Sequence, residues 1–174
     1  MSLQIKHSTL FKNNQTLLAG EWVGADSGET FTVTNPANGE RIANVPRMGK
    51  AETERAIIAS QAAQKQWKNL TAKARAAILK RWFDLMMLHQ EDLAQILTAE
   101  QGKPLAEARG EVAYGASFVE WFAEEAKRVY GETIPAPTAD RKLLVVKQPI
   151  GVTAAITPWN FPIAMITRKA SPAL

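Results

Sequence analysis

The first fifty residues contain short segments in which polar and apolar side chains alternate, a pattern typical of strands. Residues 30–34 alternate with a period of two, residues 35–39 supply turn residues, and residues 41–45 return as a partner strand. The Asn-Gly pair in that turn favours the positive φ angles of a tight reversal. The pattern therefore predicts a hairpin, and residues 17–23 predict a second pair of extended segments around a turn at Ala19-Gly20.

Apolar residues in the middle of the chain recur at helical spacing. Residues 51–67 predict one helix, and Thr71 is the predicted N-cap of a second helix that stops at Gly102. A third helix is predicted from Pro104 until Gly131 and Pro135 end it. The second helix is predicted to bury Ile78, Trp82, Leu85, Leu93 and Ile96, and the third carries an apolar stripe of Leu105, Ala108, Val112, Ala116, Val119, Phe122, Ala126 and Val129.

Beyond residue 134 the pattern changes to extended structure. An extended linker at 135–140 precedes a strand at 143–146, which Pro149 places at an edge or outside the main sheet. Residues 151–156 are small and apolar on both faces, as expected for a strand covered by helices. A Pro-Trp-Asn turn and a helix beginning at Pro162 follow. This order of elements predicts a helix-rich α/β fold.

Composition and charge exclude several classes of protein. Apolar residues make up 46% of the 174 residues and charged residues 22%, which is typical of a globular chain. The net charge of +4 alternates with acids along helices, so nucleic acid is not an expected partner. The first ten residues lack the apolar run of a signal peptide, and no stretch is long enough to span a membrane. We therefore expect a cytoplasmic protein with no membrane partner.

Few residues offer metal or thiol chemistry. There is no cysteine, so a thiol nucleophile is absent from these residues. His7 and His89 are the only histidines, and we expect no metal site.

Residues 156–162, Ile-Thr-Pro-Trp-Asn-Phe-Pro, are the strongest functional candidate. Open α/β sheets bind ligands outside the carboxyl ends of their strands, where this turn would hold Trp159 and Asn160 rigidly. The alternative is a structural connection in which Pro162 fixes φ and Asn160 caps the helix. That alternative explains a capping residue but not the adjacent tryptophan and the two flanking prolines.

The helix after the turn carries a second candidate site. Phe161, Met165 and Arg168 are spaced i, i+4 and i+7 and so share one face. Such a face is suited to a channel for a substrate with a carboxylate, which arginine binds bidentately. The alternative is an arginine whose head group simply extends to solvent.

The chain resembles the NAD(P)-dependent aldehyde dehydrogenase superfamily. The resemblance rests on residues 156–162, on Asn-Pro-Ala-Asn-Gly at 35–39, on Glu-Gln-Gly-Lys-Pro at 100–104 and on Pro-Ile-Gly-Val at 149–152. Residues 120–125 and 165–169 look most like the succinate-semialdehyde branch of that family. The resemblance implies the N-terminal part of a Rossmann-type cofactor domain, with a β-hairpin arm for oligomerisation.

The resemblance also implies roles for individual residues. Ile156, Thr157, Pro158, Trp159 and Asn160 match cofactor-binding positions for NADP or NAD. The Asn160 amide would donate a hydrogen bond to the oxygen of the adduct formed when a thiolate attacks the aldehyde. Arg168 matches the residue that holds the far carboxylate of succinate semialdehyde, with Phe161 and Met165 beside it.

The resemblance further implies a division of the chain and an incomplete site. It assigns residues 1–134 to the helical layer and hairpin, 135–150 to the oligomerisation arm, and 151–174 to the first strand and helix of the crevice. The nucleophilic cysteine and the glutamate base of the family have no counterpart here. We therefore expect these 174 residues, alone, to be inactive, to bind NAD(P) weakly and to fold poorly. The full-length enzyme is expected to be a homo-oligomer.

Two hypotheses from other classes remain open. One is a non-catalytic assembly module that associates by strand addition through residues 143–146. The other is a small nucleotide-binding module. It is the least favoured, because a single strand, turn and helix does not enclose a dinucleotide.

Overall fold

The computed structural model of the chain describes residues 5–174. Residues 1–4, which belong to the ten residues in which no signal peptide is expected, lie outside that range. In the described part, strands form hairpins at both ends of a run of helices. The elements are β1 (Thr16–Leu18), β2 (Glu21–Val23), β3 (Thr30–Thr34), β4 (Arg41–Pro46), α1 (Lys50–Trp67), α2 (Ala72–Leu88), α3 (Gln90–Gln101), α4 (Leu105–Glu125), β5 (Glu132–Ile134), β6 (Leu143–Val145) and α5 (Pro162–Ala173).

The two predicted N-terminal hairpins are confirmed. β1 pairs antiparallel with β2 around Ala19 and Gly20, whose φ angles are 53° and 90°. Positive φ at both central residues is the geometry of the tight hairpin turn that matches strand twist. β3 pairs antiparallel with β4, with an irregularity between Val33 and Thr34. In its turn Gly39 has a positive φ of 74°, whereas Asn38 does not, so the prediction for that residue is wrong.

The predicted single helix from Thr71 to Gly102 is wrong, although both of its ends are confirmed. The Thr71 side chain accepts a hydrogen bond from the Ala74 N–H at 3.2 Å, and Gly102 ends α3 in the left-handed region. Between them His89 leaves helical geometry, with φ −105° and ψ 18°, and ends α2 while it begins α3. The acidic residues Glu91 and Asp92 follow at once, in the first turn where the helix dipole favours negative charge.

α4 is the centre of the packing, in contact with α2, α3 and α5. The predicted α4 stripe is confirmed at Ala108, Val112, Ala116 and Val119, which are fully buried. One core cluster joins them to α2 and the other to α3, and Ile163 of α5 packs against both. The first turn of α5 is therefore fixed by the centre of the core.

Three predicted core positions lie at the surface instead. Ile78 and Leu85 are exposed, and α2 uses Ala76, Leu79 and Met86 against the core. The predicted stripe with Ile78 and Leu85 and the observed stripe with Leu79 and Met86 are one residue apart, and both have the period of a helix. The contact of α2 with α4 buries the observed stripe. Val129 is exposed because α4 ends at Glu125 and a single 3-10 turn carries the chain away.

The predicted strand at 151–156 is also wrong. The structure assigns no strand or strand pairing to these residues, and residues 152–156 are exposed. A strand exists only where a neighbour satisfies its backbone N–H and C=O groups. Within residues 5–174 no such neighbour is present, because the three sheets are isolated two-stranded hairpins.

The third hairpin is formed by β5 and β6, antiparallel, with Thr133 opposite Leu144. It confirms the strand predicted at 143–146 and places it outside any larger sheet. Its first strand begins at Glu132, three residues before residue 135, at which the oligomerisation arm was predicted to begin. Among the helices of residues 5–174, none has the length and apolar composition to cross a membrane.

Candidate functional site

The candidate turn, residues 157–161, is largely exposed. It lies between α5 and residues 151–156, which pair with no strand and are called the unpaired segment. Ile156 exposes 90% of its surface and Trp159 78%, whereas Thr157 is partly buried. Pro158 and Asn160 are exposed as well. Exposed apolar side chains of this size beside an exposed amide are suited to one wall of a binding site. Four of the five predicted cofactor-binding residues, which are consecutive in sequence, are thus exposed, and Thr157 is partly buried.

The start of α5 shows that Asn160 does not cap the helix. Pro162 occupies the first turn, as predicted, but the N-cap position belongs to Phe161, and no side chain of the cap makes a hydrogen bond. A buried carboxylate from α4 performs this role. Glu111 accepts hydrogen bonds from the Ile163 N–H at 2.9 Å and the Ala164 N–H at 3.3 Å. The Asn160 amide is therefore free of the capping function that was its structural alternative.

Lys103 and Glu111 contact the candidate turn and the start of α5, and the sequence analysis predicted neither contact. Lys103 lies just before α4, and its ammonium group contacts both Glu111 and the Asn160 carbonyl oxygen. A signal was available in the sequence. Glu111 interrupts the buried face of α4 between Ala108 and Val112, and a charged residue at a core position needs a partner.

The predicted substrate face on α5 is assembled only in part. The Arg168 Nη1 lies 4.0 Å from the Met165 sulfur, and its guanidinium lies 5.5 Å from the centre of the Phe118 ring on α4. The Phe161 ring instead lies under the Lys103 ammonium, at 3.7 Å. Among the ion pairs of residues 5–174, none includes Arg168. Its exposed guanidinium retains the capacity to pair with an anion.

His7, His89 and Asp92 come together, which the sequence analysis did not predict. One ligand atom from each lies within 4.8 Å of the others. Asp92 accepts the backbone N–H groups of Lys6 and His7 and is 2.8 Å from the His7 Nδ1. These bonds, that from Lys6 foremost, hold the pKa of Asp92 below its ordinary value. The cluster ties the start of the described chain to α3.

Comparison with known proteins decides the family. Residues 22–174 match the sequence profile of the aldehyde dehydrogenase family. The chain belongs to this family. The resemblance carried by the short motifs thus extends through nearly all of the sequence.

Individual relatives are similar over the full chain. It is 64% identical over 172 residues to a 3-sulfolactaldehyde dehydrogenase of Pseudomonas putida. The matched region covers 99% of this chain and 35% of that protein. It is 62% identical to the NADP(+) succinate-semialdehyde dehydrogenase of Escherichia coli K12, covering 99% of this chain and 36% of the relative. The chain therefore spans about a third of the length of these curated relatives.

The fold agrees with the same family. A crystal structure of an E. coli NADP-dependent enzyme superposes with a TM-score of 0.96 at 62% identity, over 98% of this chain and 35% of that one. The prediction of an N-terminal part of an aldehyde dehydrogenase fold is confirmed. The unpaired segment 151–156 is the place where the isolated chain differs from the predicted sheet.

Proposed function

We propose that this chain is the N-terminal portion of an NADP- or NAD-dependent dehydrogenase that oxidises an aldehyde with an anionic tail, with succinate semialdehyde as the substrate. The observation that carries the proposal is Arg168. It follows the Asn160 turn on the same short helix, it is exposed, and its guanidinium has no acidic partner in residues 5–174. A plain aliphatic aldehyde would offer that charge nothing to bind.

The names of the relatives support an anionic tail as the shared feature. Succinate semialdehyde carries a carboxylate and 3-sulfolactaldehyde a sulfonate, and both present oxygens suited to a guanidinium fork. Met165 beside Arg168 supplies apolar surface for the carbon chain between tail and aldehyde. Tail recognition is thereby assigned to α5 and the reacting end of the substrate to the turn.

Asn160 is proposed as the donor to the oxygen that becomes negative when a thiolate attacks the aldehyde. Removing one such donor typically costs about 2.7–4 kcal/mol of barrier. The exposed residues Ile156 and Trp159 supply apolar surface that the nicotinamide end of the cofactor would cover. The cofactor would accept the hydride. The thiolate is absent from these 174 residues, so the chain alone is proposed to be inactive.

Replacement of Arg168 by alanine in the full-length enzyme tests the substrate. Loss of a charge-assisted hydrogen bond predicts about 1.5–3 kcal/mol of lost transition-state stabilisation for succinate semialdehyde. Butanal, which has the same carbon count without the charge, should lose little. The control is Lys169→Ala, which removes a neighbouring exposed cation from the same helix. Equal losses of kcat/KM for both aldehydes in Arg168→Ala would remove the tail-binding role.

The isolated chain provides a second test. Purified 174-residue protein should form no NADPH or NADH from succinate semialdehyde. Clear turnover would show that the missing nucleophile is not required.

We further infer that the β5–β6 hairpin forms a subunit contact in a cytoplasmic homo-oligomer. Its apolar side chains are exposed, and Leu144 exposes 73% of its surface. An isolated two-stranded hairpin is marginal in water, and its open edges favour pairing with another chain. Leu144→Lys should reduce the molar mass of the full-length enzyme measured by light scattering. Leu88→Lys on α2, where the leucine is 70% exposed, should not.

That measurement also bears on the assembly-module hypothesis. A 174-residue chain that oligomerises through the hairpin, while the full-length enzyme oxidises no aldehyde, would favour the non-catalytic function.

A further inference from the structure

Lys103 and Glu111 form a buried ion pair between the end of α3 and the second turn of α4. The Nζ and Oε2 atoms are 2.6 Å apart, and the two side chains expose 8% and 1% of their surfaces. Burying two charges is unfavourable unless further hydrogen bonds satisfy them. The pair therefore requires an explanation in its other contacts.

The remaining oxygen of Glu111 binds the start of α5. Oε1 accepts from the Ile163 N–H at 2.9 Å and from the Ala164 N–H at 3.3 Å. The first N–H groups of a helix have no partner within the helix, and its dipole favours a negative charge there. Glu111 thus fixes the position at which α5 begins.

The remaining contacts of Lys103 lie on the turn itself. Nζ donates to the Asn160 carbonyl oxygen at 3.0 Å and lies 3.7 Å from the centre of the Phe161 ring. Cations are attracted to the face of an aromatic ring, so both contacts hold the ammonium in place. The carbonyl that Lys103 binds belongs to the residue whose side-chain amide is the proposed donor to the reacting oxygen.

We propose that Lys103 and Glu111 are positioning residues that set the direction of the Asn160 amide. This inference rests on the proposed function of Asn160. The ion pair joins the turn and the first turn of α5 to α4, which has the most buried residues of the helices in residues 5–174. The Lys103 side chain is too buried to contact the substrate directly. Its effect is therefore transmitted through Asn160.

Lys103→Met in the full-length enzyme is the first test. The substitution keeps a long apolar side chain and removes both hydrogen bonds. A misplacement of about 1 Å can cost on the order of 10²-fold in rate, so kcat should fall by about that factor. KM for succinate semialdehyde should stay nearly constant, because the amide acts on charge that develops after binding.

A double-mutant cycle separates positioning from a general loss of structure. If Lys103 acts through Asn160, Lys103→Met in an Asn160→Ala enzyme should change kcat by no more than about twofold. If the two losses multiply, the positioning role is overturned. Glu111→Gln is the second variant. It keeps the side-chain volume and a carbonyl oxygen, and it should lower kcat selectively even if Lys103→Met folds poorly.

Glu52→Gln is the matched control. Glu52 is another buried carboxylate that accepts two backbone N–H groups, those of Asp26 and Gly49, but it lies at the start of α1. It should affect thermal stability without the kcat-selective loss. Unchanged kcat in both Lys103→Met and Glu111→Gln would overturn the inference. Undiminished kcat in Asn160→Ala, or a wild-type enzyme inactive on aldehydes, would instead overturn the proposed function.

Discussion

Gly115 sets the distance between α4 and α5, and its replacement by alanine is the sharpest test of the packing. A Cβ at this position would lie 3.0 Å from the Ile163 Cγ2, 3.2 Å from the Thr167 Oγ1 and 3.3 Å from the Ala164 Cα. Favourable carbon contacts lie at about 3.5–4.0 Å. The new methyl group must therefore push the first two turns of α5 away from α4.

The magnitude follows from two opposing effects. Overpacking of a core costs about 1–3 kcal/mol. Alanine is favoured over glycine in a helix interior by about 0.8–1.0 kcal/mol. Gly110, on the same helix, has nothing within 4 Å of its added Cβ, so Gly110→Ala shows the second effect alone. The difference between the two variants isolates the overpacking.

Hydrogen exchange of the α5 amides in the full-length enzyme measures this difference, because exchange reports local opening. Gly115→Ala should exchange faster than Gly110→Ala in α5, and 1–3 kcal/mol corresponds to roughly 5- to 150-fold. Gly110→Ala should leave α5 unchanged and slow exchange in α4. Equal α5 exchange in the two variants would refute the idea that close approach at Gly115 determines the position of α5.

Two further substitutions test local stability. Thr71→Ala should destabilise the start of α2 by about 1 kcal/mol, seen as faster amide exchange there, while Thr71→Ser keeps the acceptor and should behave as wild type. The pKa of Asp92 is lowered in the fold, above all by the Lys6 N–H, so its stabilisation is present above the ordinary aspartate pKa and is lost as the pH falls through the lowered value. The thermal midpoint of the wild-type protein should therefore fall on acidification below about pH 4. The Asp92→Asn variant should have a lower thermal midpoint at about pH 7, and its midpoint should depend less on pH in the acid range. The same acid dependence in wild type and Asp92→Asn would contradict that assignment.

Local signals in the sequence predicted much of this fold correctly. The Ala19-Gly20 turn, the Thr71 cap and the stop at Gly102 each depend on a few adjacent residues, and the structure contains all three. The α4 stripe was predictable for a related reason. Most of its apolar positions lie on one buried face of the helix, which supplies residues to both core clusters, so a single period describes them.

Features that depend on distant parts of the chain were not predictable. Residues 151–156 have the composition of a buried strand, but a strand requires partners that residues 5–174 do not provide. The end of α2 at His89 has no neighbouring glycine or proline from which it could have been predicted. The turn at residues 157–161 was predicted from its motif, but Lys103 lies 57 positions before the Asn160 carbonyl that it contacts, and Glu111 lies 52 positions before the Ile163 N–H.

The spacing of the Lys103–Glu111 pair has a consequence for synthesis of the protein. The two residues are 8 positions apart, whereas Glu111 and the Ile163 N–H are 52 positions apart. At 5–20 residues per second the ribosome exposes the pair roughly 3–10 s before the start of α5. The Lys103 ammonium is therefore available to neutralise the Glu111 carboxylate before the backbone N–H groups of α5 have been synthesised.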